Sequence, residues 1–249
     1  MLRVIGFFGY YCVRFLLNLR YRIIFNDPDF ALENPRQGTI FLANHVSEVD
    51  PVILVSLLWK RFQPRALASK YLFSIPVVSF FLKLTRAFPV PVVLPGGQSE
   101  KKLEQIRRYQ KSVVDALHSK DNILIYPSGK LSHDGKEEFL EQSAAFLLLE
   151  SAPKANVVLL RTRGLWGSFF SRALTNATLD LKKGAWQALK VIFRNFIFFV
   201  PKREVIIEVF SVPRVLLSDF QDKKSLNTFL ASWLNKDGEA EPLNLVPYK

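Results

Sequence analysis

A histidine and an aspartate stand five positions apart in the sequence NHVSEVDP, residues 44–51. A helix turns by about 100° per residue, so His45 and Asp50 in one regular helix would point about 140° apart. They can meet only where a turn folds His45 back over a helix start, and the pair Asp50-Pro51 is typical of such a start, with Asp50 at the N-cap. A carboxylate beside an imidazole could orient it as a general base toward a hydroxyl. Taken alone, the pattern is better explained by a capping aspartate next to a loop histidine.

A second loop, YPSGKLSHDG at residues 126–135, follows an apolar stretch and carries glycines, hydroxyls and a lysine. Such a loop can hold an anion through backbone N–H groups. It is not a nucleotide-binding P-loop, because that motif would need glycine at Leu124 and serine or threonine at Leu131. The chain also lacks the GxSxG sequence of serine hydrolases. His133 is followed by Glu138 at the same spacing as the first pair, which makes it a rival base.

The elements that would position these loops alternate between strands and helices. TIFLAN, residues 39–44, reads as a buried strand that ends at His45, and a helix begins at Asp50. Further strands are predicted at 122–127, 156–164 and 205–210, and further helices at 99–118, 137–150, 184–199 and 222–235. This order predicts an α/β fold: a single domain with a mixed β-sheet flanked by helices. Loops at the carboxyl ends of the strands are where such folds keep their sites.

Composition narrows the class of protein. The chain has 249 residues, 49% of them hydrophobic, and a formal net charge of +12, which excludes a disordered or fibrous protein. Its single cysteine, Cys12, can form no internal disulfide, and no His/Cys/carboxylate group has metal-ligand spacing, so no metal is expected. The positive charge fits an anionic membrane or an acidic partner. Nucleic acid is not expected, since no nucleic-acid-binding signature accompanies the charge.

The first 24 residues are predicted to form an amphipathic helix lying in the membrane interface, ahead of a domain at 25–249. Arg14 and Asn18 interrupt the apolar run, which argues against a membrane span, and no cleavage site of a signal peptide follows. The residues predicted to face lipid are aromatic or aliphatic: Phe7, Phe8, Tyr11, Phe15 and Leu19. An ordinary helix packed on its own core is the alternative.

The two loops together resemble the glycerophospholipid and lysophospholipid acyltransferases. That family has NHxxxxD as its first motif and a Pro-Glu-Gly-Thr-Arg-Ser loop as its third, where this chain has NHVSEVD and PSGKLS. The stretches RTRGLWGSFFS (161–171) and FIFFVPKREVIIEV (196–209) look like the branch that includes the acyltransferase half of the bifunctional 2-acylglycerophosphoethanolamine acyltransferase and acyl-carrier-protein synthetase.

The resemblance implies roles for particular residues. His45 would take the proton from an acceptor hydroxyl, Asp50 would hold the imidazole, and neither an acyl-enzyme nor a cofactor is needed. The third-motif loop would bind the acceptor phosphate through Ser128, Gly129 and Lys130. The chain departs from the family at several places. Ser128, Lys130 and Leu131 replace the family's glutamate, threonine and arginine, Leu159 stands where a proline is expected in the fourth motif, and Arg86 would have to supply the basic residue of the second motif.

The implied function is a membrane-associated O-acyltransferase of phospholipid biosynthesis or remodelling, at the cytoplasmic face of the inner or plasma membrane. Acyl-carrier protein or coenzyme A would donate the fatty acyl chain, and a lysophospholipid or acylglycerol phosphate would accept it. The rewritten third motif keeps a second interpretation open, in which the same fold is a catalytically inactive lipid-binding or membrane-scaffold protein.

Overall fold

The computed structural model of the chain describes residues 2–27, 38–91, 100–139, 154–174, 181–194, 201–220 and 222–236. Within these residues it contains seven α-helices and seven strands. The helices are α1 (Leu2–Arg20), α2 (Asp50–Phe62), α3 (Pro76–Leu84), α4 (Glu100–His118), α5 (Leu181–Arg194), α6 (Arg214–Ser218) and α7 (Lys223–Leu234). The strands are β1 (Tyr21–Asn26), β2 (Thr39–Ala43), β3 (Arg65–Ser69), β4 (Phe88–Val90), β5 (Ile123–Ile125), β6 (Asn156–Arg163) and β7 (Arg203–Ser211).

The seven strands form one mixed sheet in the order β1-β7-β6-β2-β5-β3-β4. All neighbours are parallel except β6 and β7, which are antiparallel. Strand β2 lies in the middle and is buried along its whole length, as expected for a parallel strand covered on both faces. The residue that follows it, Asn44, therefore leaves the sheet at its carboxyl edge, where α/β folds place their sites.

Two apolar clusters hold the helices on the sheet. Alternate residues of β2 point to opposite faces, so Phe41 joins a cluster with residues of α1 and α2, while Ile40 and Leu42 join one with residues of α4 and α7. The α/β class and the mixed sheet flanked by helices are thus as the sequence predicts.

The amino-terminal helix ends earlier than predicted. It stops at Arg20, and residues 21–26 form the edge strand β1, paired with β7. Of the side chains expected to face lipid, Tyr11 and Phe15 are exposed, Leu19 is half-buried, and those of Phe7 and Phe8 lie outside the description. None of the described helices has both the length and the apolarity required to span a bilayer.

Candidate functional site

The turn between β2 and α2 is organised by the carboxylate of Asp50, which is fully buried. Its Oδ2 accepts hydrogen bonds from the backbone N–H of Val46, at 2.8 Å, and of Ser47, at 2.9 Å. The N-cap of α2 is Val49, with no side-chain cap, so the predicted N-cap position of Asp50 is one residue off. The reason is that Asp50 caps the preceding turn instead of its own helix.

The folded-back turn brings the imidazole of His45 to Asp50, as the spacing required. Nδ1 of His45 lies 3.5 Å from Oδ2 of Asp50. Because an ionised carboxylate only accepts hydrogen bonds, this contact assigns the neutral ring's proton to Nδ1 and leaves Nε2 as an acceptor. The sequence prediction that these two residues meet is therefore matched by the geometry.

Burial and negative charge compete at His45. Burial opposes the imidazolium, but the hydrogen bond and charge of Asp50, with the charges of Glu48 and Glu137, outweigh it, so the pKa of His45 is raised. Burial likewise raises the pKa of Asp50, while His45 and the two turn amides act in the opposite direction. The raised pKa makes His45 a stronger proton acceptor than a free imidazole.

Asn44 fixes the residue before the histidine. Its Nδ2 donates to the carbonyl of Thr162 at 2.9 Å, and its Oδ1 accepts from the N–H of Thr162 at 2.7 Å. The amide thus makes both hydrogen bonds that a strand residue would make to β6. This pairing explains why the turn begins with asparagine: an aspartate could accept from the N–H but could not donate to the carbonyl.

The second loop continues to residue 139 in the structure, and it makes hydrogen bonds to both backbone groups of His45. The N–H of Ser132 donates to the carbonyl of His45 at 2.7 Å, and the N–H of His45 donates to Oε1 of Glu137 at 2.5 Å. Glu137 is itself held at its backbone, where its N–H donates to Oδ1 of Asn235 and its carbonyl accepts from Nδ2 of the same side chain. The loop is therefore a supporting wall of the histidine turn.

Glu137 is the functional residue that sequence reasoning missed. Its side chain is buried beside His45, and burial raises its pKa, an effect that the nearby hydroxyl of Ser128 and the N–H of His45 oppose. Its Oε2 finds no hydrogen-bond partner among the described residues. The only signal in the sequence was its place at the start of a predicted helix, 137–150. Residues 137–139 are not helical, and the rest of that predicted helix lies outside the described residues.

The ring of Tyr126 packs against the face of the His45 imidazole. The two rings are stacked with centroids 4.3 Å apart at an angle of 29°. Burial, with the nearby charges of Asp50, Glu137 and Glu48, raises the pKa of the phenol, so Tyr126 stays neutral. Its hydroxyl is buried without a hydrogen-bond partner in the described part of the chain. Stacking limits rotation of the His45 ring and keeps its Nδ1 toward Asp50.

The predicted phosphate-binding residues lie on this same loop. Ser128 is buried and donates through Oγ to the carbonyl of Lys130, while Gly129 has a left-handed φ of +67°. The Nζ of Lys130 lies 2.6 Å from Oε2 of the exposed Glu138. Leu131, which replaces the family's arginine, is buried. The structure therefore brings Ser128, Gly129 and Lys130 to the wall of the His45 site.

Arg86 is placed elsewhere. Its Nη2 lies 3.4 Å from Oδ1 of Asp121, which also binds Arg65. Arg86 and Asp121 precede β4 and β5, so they lie at the amino edge of the parallel strands, whereas His45 follows β2 at the carboxyl edge. The structure thus separates Arg86 from the other predicted site residues.

The rival pair of His133 and Glu138 does not form. His133 is exposed and its Nδ1 lies 3.2 Å from Nη1 of Arg172, while Glu138 contacts Lys130. The alternative base is therefore an exposed histidine beside a cation, and Glu138 does not orient it.

A third segment, residues 164–174, closes the turn from the other side. Oγ of Ser47 lies 3.1 Å from Oγ of Ser168, and the N–H of Glu48 donates to the carbonyl of Phe170 at 2.9 Å. Arg203 holds this segment through the carbonyls of Gly164, Trp166 and Gly167. Together with Asp50, β6 and the second loop, this segment surrounds the histidine turn and restricts its motion.

Chemically, the arrangement provides a base with an assigned tautomer at a sheet edge. A hydroxyl that reaches Nε2 of His45 could transfer its proton there while Asp50 stabilises the resulting imidazolium. Beside the base stands a loop with a left-handed glycine and an ammonium, the chemistry that recognises phosphate.

Comparison with known proteins identifies a family and a similar fold. The family model of the acyltransferases matches residues 26–191, which include the histidine turn and the second loop. Among solved structures, the fold is similar to that of the 1-acyl-sn-glycerophosphate (LPA) acyltransferase PlsC from Thermotoga maritima. That match has a TM-score of 0.58 and 15% sequence identity, and it covers 95% of this chain and 77% of the other. No curated protein matches the sequence significantly.

Proposed function

The chain belongs to the acyltransferase family, and on that premise we propose that it transfers a fatty acyl chain from a thioester to the free hydroxyl of a lysophospholipid or acylglycerol phosphate. The observation that carries the proposal is the pairing of His45 with Asp50 at the carboxyl edge of the central strand, 3.5 Å apart. The acceptor class is supported by the neighbouring loop and by the structurally similar Thermotoga maritima protein, which is a 1-acyl-sn-glycerophosphate acyltransferase.

In the proposed reaction, Nε2 of His45 removes the proton of the acceptor hydroxyl as its oxygen attacks the thioester carbonyl. The tetrahedral intermediate then collapses, the carbon–sulfur bond breaks, and the thiolate takes the proton from the imidazolium. The new ester and a free thiol are the products, so atoms and charge balance without an acyl-enzyme or a cofactor. Backbone N–H groups near the cleft would stabilise the oxyanion.

The second loop binds the acceptor phosphate in this proposal. Ser128 and Gly129 offer hydroxyl and backbone donors, and Lys130 offers an ammonium whose present partner, Glu138, is 62% exposed. An exposed ion pair contributes little, so a phosphate can replace the carboxylate at small cost. Arg86 has no part in the proposed acceptor site, because it lies at the opposite sheet edge.

The proposal places the protein at a membrane surface, where the acceptor resides, with acyl-carrier protein or coenzyme A as the soluble donor. The exposed Tyr11 and Phe15 on α1 and the charge of +12 support this location. An interfacial helix combines apolar contact with attraction to anionic lipids.

The test is an acyl-transfer assay with detergent-purified protein. Thioesters of acyl-carrier protein and of coenzyme A are offered with lysophosphatidate, lysophosphatidylethanolamine, lysophosphatidylglycerol and glycerol 3-phosphate. We expect turnover that is lost in His45→Ala and kept in His133→Ala, the matched control. Equal activity in His45→Ala and the wild type would overturn the mechanism. Lysolipid binding without turnover on the whole panel would favour the inactive lipid-binding scaffold.

A further inference from the structure

Helix α5 has two apolar faces, and only one of them packs against the part of the chain that the structure describes. Gly184 and Val191 are buried against the protein. About 180° around the helix axis from them, by the 100° advance per residue, stand Trp186, Leu189 and Phe193. These three side chains are 59%, 44% and 68% exposed. A helix that packs on one side and presents three large apolar groups on the other has a surface left over for a partner.

Three cations border this stripe on one side, and a fourth, the exposed Lys182, stands in line with the stripe at the amino-terminal end of the helix. Lys183, Lys190 and Arg194 lie within about 40° of one another on the helical wheel, next to the exposed apolar stripe. All three are exposed, and Nζ of Lys190 lies 5.5 Å from the centroid of the Trp186 ring. The helix carries no aspartate or glutamate. An apolar line flanked by lysine and arginine, with tryptophan and phenylalanine in it, is typical of helices that lie in a membrane interface.

The packed face of α5 connects the helix to the histidine turn. A Cβ placed on Gly184 would stand 3.0 Å from the carbonyl oxygen of Phe169, so α5 lies directly on the segment 164–174. The next carbonyl in that segment, that of Phe170, accepts the N–H of Glu48 in the histidine turn. Helix α5 is thus linked to the turn that carries His45 through the segment 164–174, which contacts both of them.

Helix α1 ends beside α5 and also exposes apolar side chains. Arg20, the last residue of α1, and Tyr21, the first residue of β1, line one small cavity with Ala188 of α5. Farther along α1, Tyr11, Phe15 and Leu16 are exposed. Because both neighbouring helices expose large apolar side chains, a partner with a broad apolar surface fits them better than a small compact protein does.

From these observations we propose that α5 is a membrane-docking helix, whose Trp186, Leu189 and Phe193 enter an anionic phospholipid bilayer while Lys183, Lys190 and Arg194 contact its headgroups. The proposal goes beyond the proposed reaction, since it assigns a lipid surface to a helix that contains none of the catalytic or phosphate-binding residues. A bilayer fits better than an acidic carrier protein, because three large apolar side chains follow one another on the line opposite the packed face, with Lys182 only at its amino-terminal end and the other cations beside it.

The experiment measures binding of the full chain to vesicles of phosphatidylcholine, alone or mixed with phosphatidylglycerol, by co-sedimentation. The stripe variant is Trp186→Ser with Phe193→Ser, and the cation variant is Lys183→Gln with Lys190→Gln and Arg194→Gln. We expect the stripe variant to bind both vesicles about tenfold or more weakly. The cation variant should bind the mixed vesicles on the order of 100-fold more weakly, since each cation near an anionic surface contributes about tenfold or less.

Control variants make the same kinds of change, with one substitution fewer each, on other helices. Val215→Ser alters an apolar side chain that is 78% exposed on α6, and Arg107→Gln with Lys111→Gln removes exposed cations from α4. Both controls should bind vesicles as the wild type does. All the changed side chains are exposed, so the variants should fold, which thermal melting checks.

Tryptophan fluorescence gives a readout specific to α5. Trp186 is the exposed one among the four tryptophans, since Trp166 is buried and Trp59 and Trp233 are half-buried. Lipids brominated in the acyl chain should quench the wild type, and Trp186→Phe should remove most of that quenching while still binding the vesicles. Absence of quenching in the wild type would overturn the proposal, as would vesicle binding unchanged in both the stripe and cation variants.

The readout is independent of the reaction. Co-sedimentation needs no turnover, and transfer to a short-chain acceptor that stays monomeric needs no vesicle. Binding without transfer would leave the docking proposal in place and remove the proposed function, and transfer without vesicle binding would do the reverse. If the cation variant instead lost affinity for acyl-carrier protein with its vesicle binding intact, α5 would be a carrier-docking helix and the bilayer proposal would be wrong.

Discussion

The carboxylate of Glu137 accepts a hydrogen bond from the backbone N–H of His45 at 2.5 Å, across 92 positions of sequence. Through this contact the second loop holds the histidine by its main chain, while Asp50 holds it by its ring. Two carboxylates thus approach one histidine from different elements. The loop that has lost the family's glutamate at position 128 has a buried glutamate nine positions later, in contact with Ser128.

The charge of Glu137 should set the pH dependence of the reaction. Negative charge near His45 raises its pKa, and the reaction needs the neutral imidazole. Glu137→Gln keeps an acceptor for the N–H and removes the charge, so the acid limb of kcat/KM should move to lower pH. Initial rates measured across pH for both proteins check this. An acid limb that does not move would show that Glu137 carries no charge while His45 titrates.

Truncation of Glu137 should cost stability as well. In Glu137→Ala the N–H of His45 loses its acceptor at a buried position, and an unmade buried hydrogen bond costs about 1–3 kcal/mol. We expect the free energy of unfolding in urea to fall by that amount. Glu138→Ala is the matched control: its side chain is exposed, and its ion pair with Lys130 contributes about 0–1 kcal/mol. Equal losses in the two variants would contradict the supporting role of Glu137.

Asp50→Asn should reduce the rate far more than it reduces acceptor binding. One oxygen, Oδ2, meets both turn amides and Nδ1 of His45. The carboxamide oxygen of the variant can take that place and keep these contacts, but it lacks the negative charge that stabilises the imidazolium and raises the pKa of His45. Loss of general-base catalysis lowers kcat by about 10²–10⁴-fold. Steady-state kcat and KM are the measurement. Asp121→Asn, at the opposite sheet edge, is the control and should leave both constants unchanged.

The histidine turn could be predicted from the sequence because its contacts are local. His45, Asp50 and the amides between them lie within six residues, so spacing and a helix-start signal were sufficient. Glu137 and Asn44 could not be assigned in this way, because their partners are distant in sequence. The positions of those partners depend on how the second loop and β6 pack around the turn.

In the sheet, too, the strands with a clear local pattern could be predicted and those that depend on their neighbours could not. The long apolar strands at its centre, β2 and β6, were predicted nearly to their ends. Three strands were missed: the edge strands β1 and β4, and β3, the five-residue neighbour of β4. Strand β4 has three residues and includes Pro89, and β1 follows directly from a helix. Such strands owe their conformation to a neighbour in the sheet, not to their own pattern. Arg86, which precedes β4, was placed near the acceptor because its edge of the sheet was unknown.

Lys130 should affect acceptor binding and leave the chemical step largely unchanged. Its ammonium is the positive charge next to Ser128 and Gly129 in the loop, and Glu138 is its partner in the free protein. In Lys130→Gln we expect KM for phosphate-bearing acceptors to rise about tenfold, in the range of a charged hydrogen bond, with kcat little changed. Glu138→Gln removes the competing carboxylate and should lower KM. A fall in kcat at constant KM in Lys130→Gln would place Lys130 in catalysis instead.

Two glycines with similar backbone angles should respond differently to alanine. Gly129 and Gly164 have φ values of +67° and +88°, so a side chain strains both. A Cβ at Gly129 would meet no heavy atom within 4 Å, whereas one at Gly164 would stand 2.2 Å from the backbone oxygen of Glu204 on β7. Gly129→Ala should therefore lower the free energy of unfolding by about 1–2 kcal/mol. Gly164→Ala must displace a strand and should lose about 3 kcal/mol or more.

Urea denaturation of the two glycine variants measures these losses, and the kinetics separate stability from function. Because the proposed acceptor phosphate binds the backbone beside Gly129, the methyl group of Gly129→Ala should also raise KM for the acceptor at temperatures where the variant is folded. Gly164→Ala, which is farther along the chain in the segment under α5, should lose folded protein without a change of KM in what remains. Similar losses of stability in both variants would show that the backbone of Glu204 yields easily. An unchanged KM in Gly129→Ala would move the phosphate away from this loop.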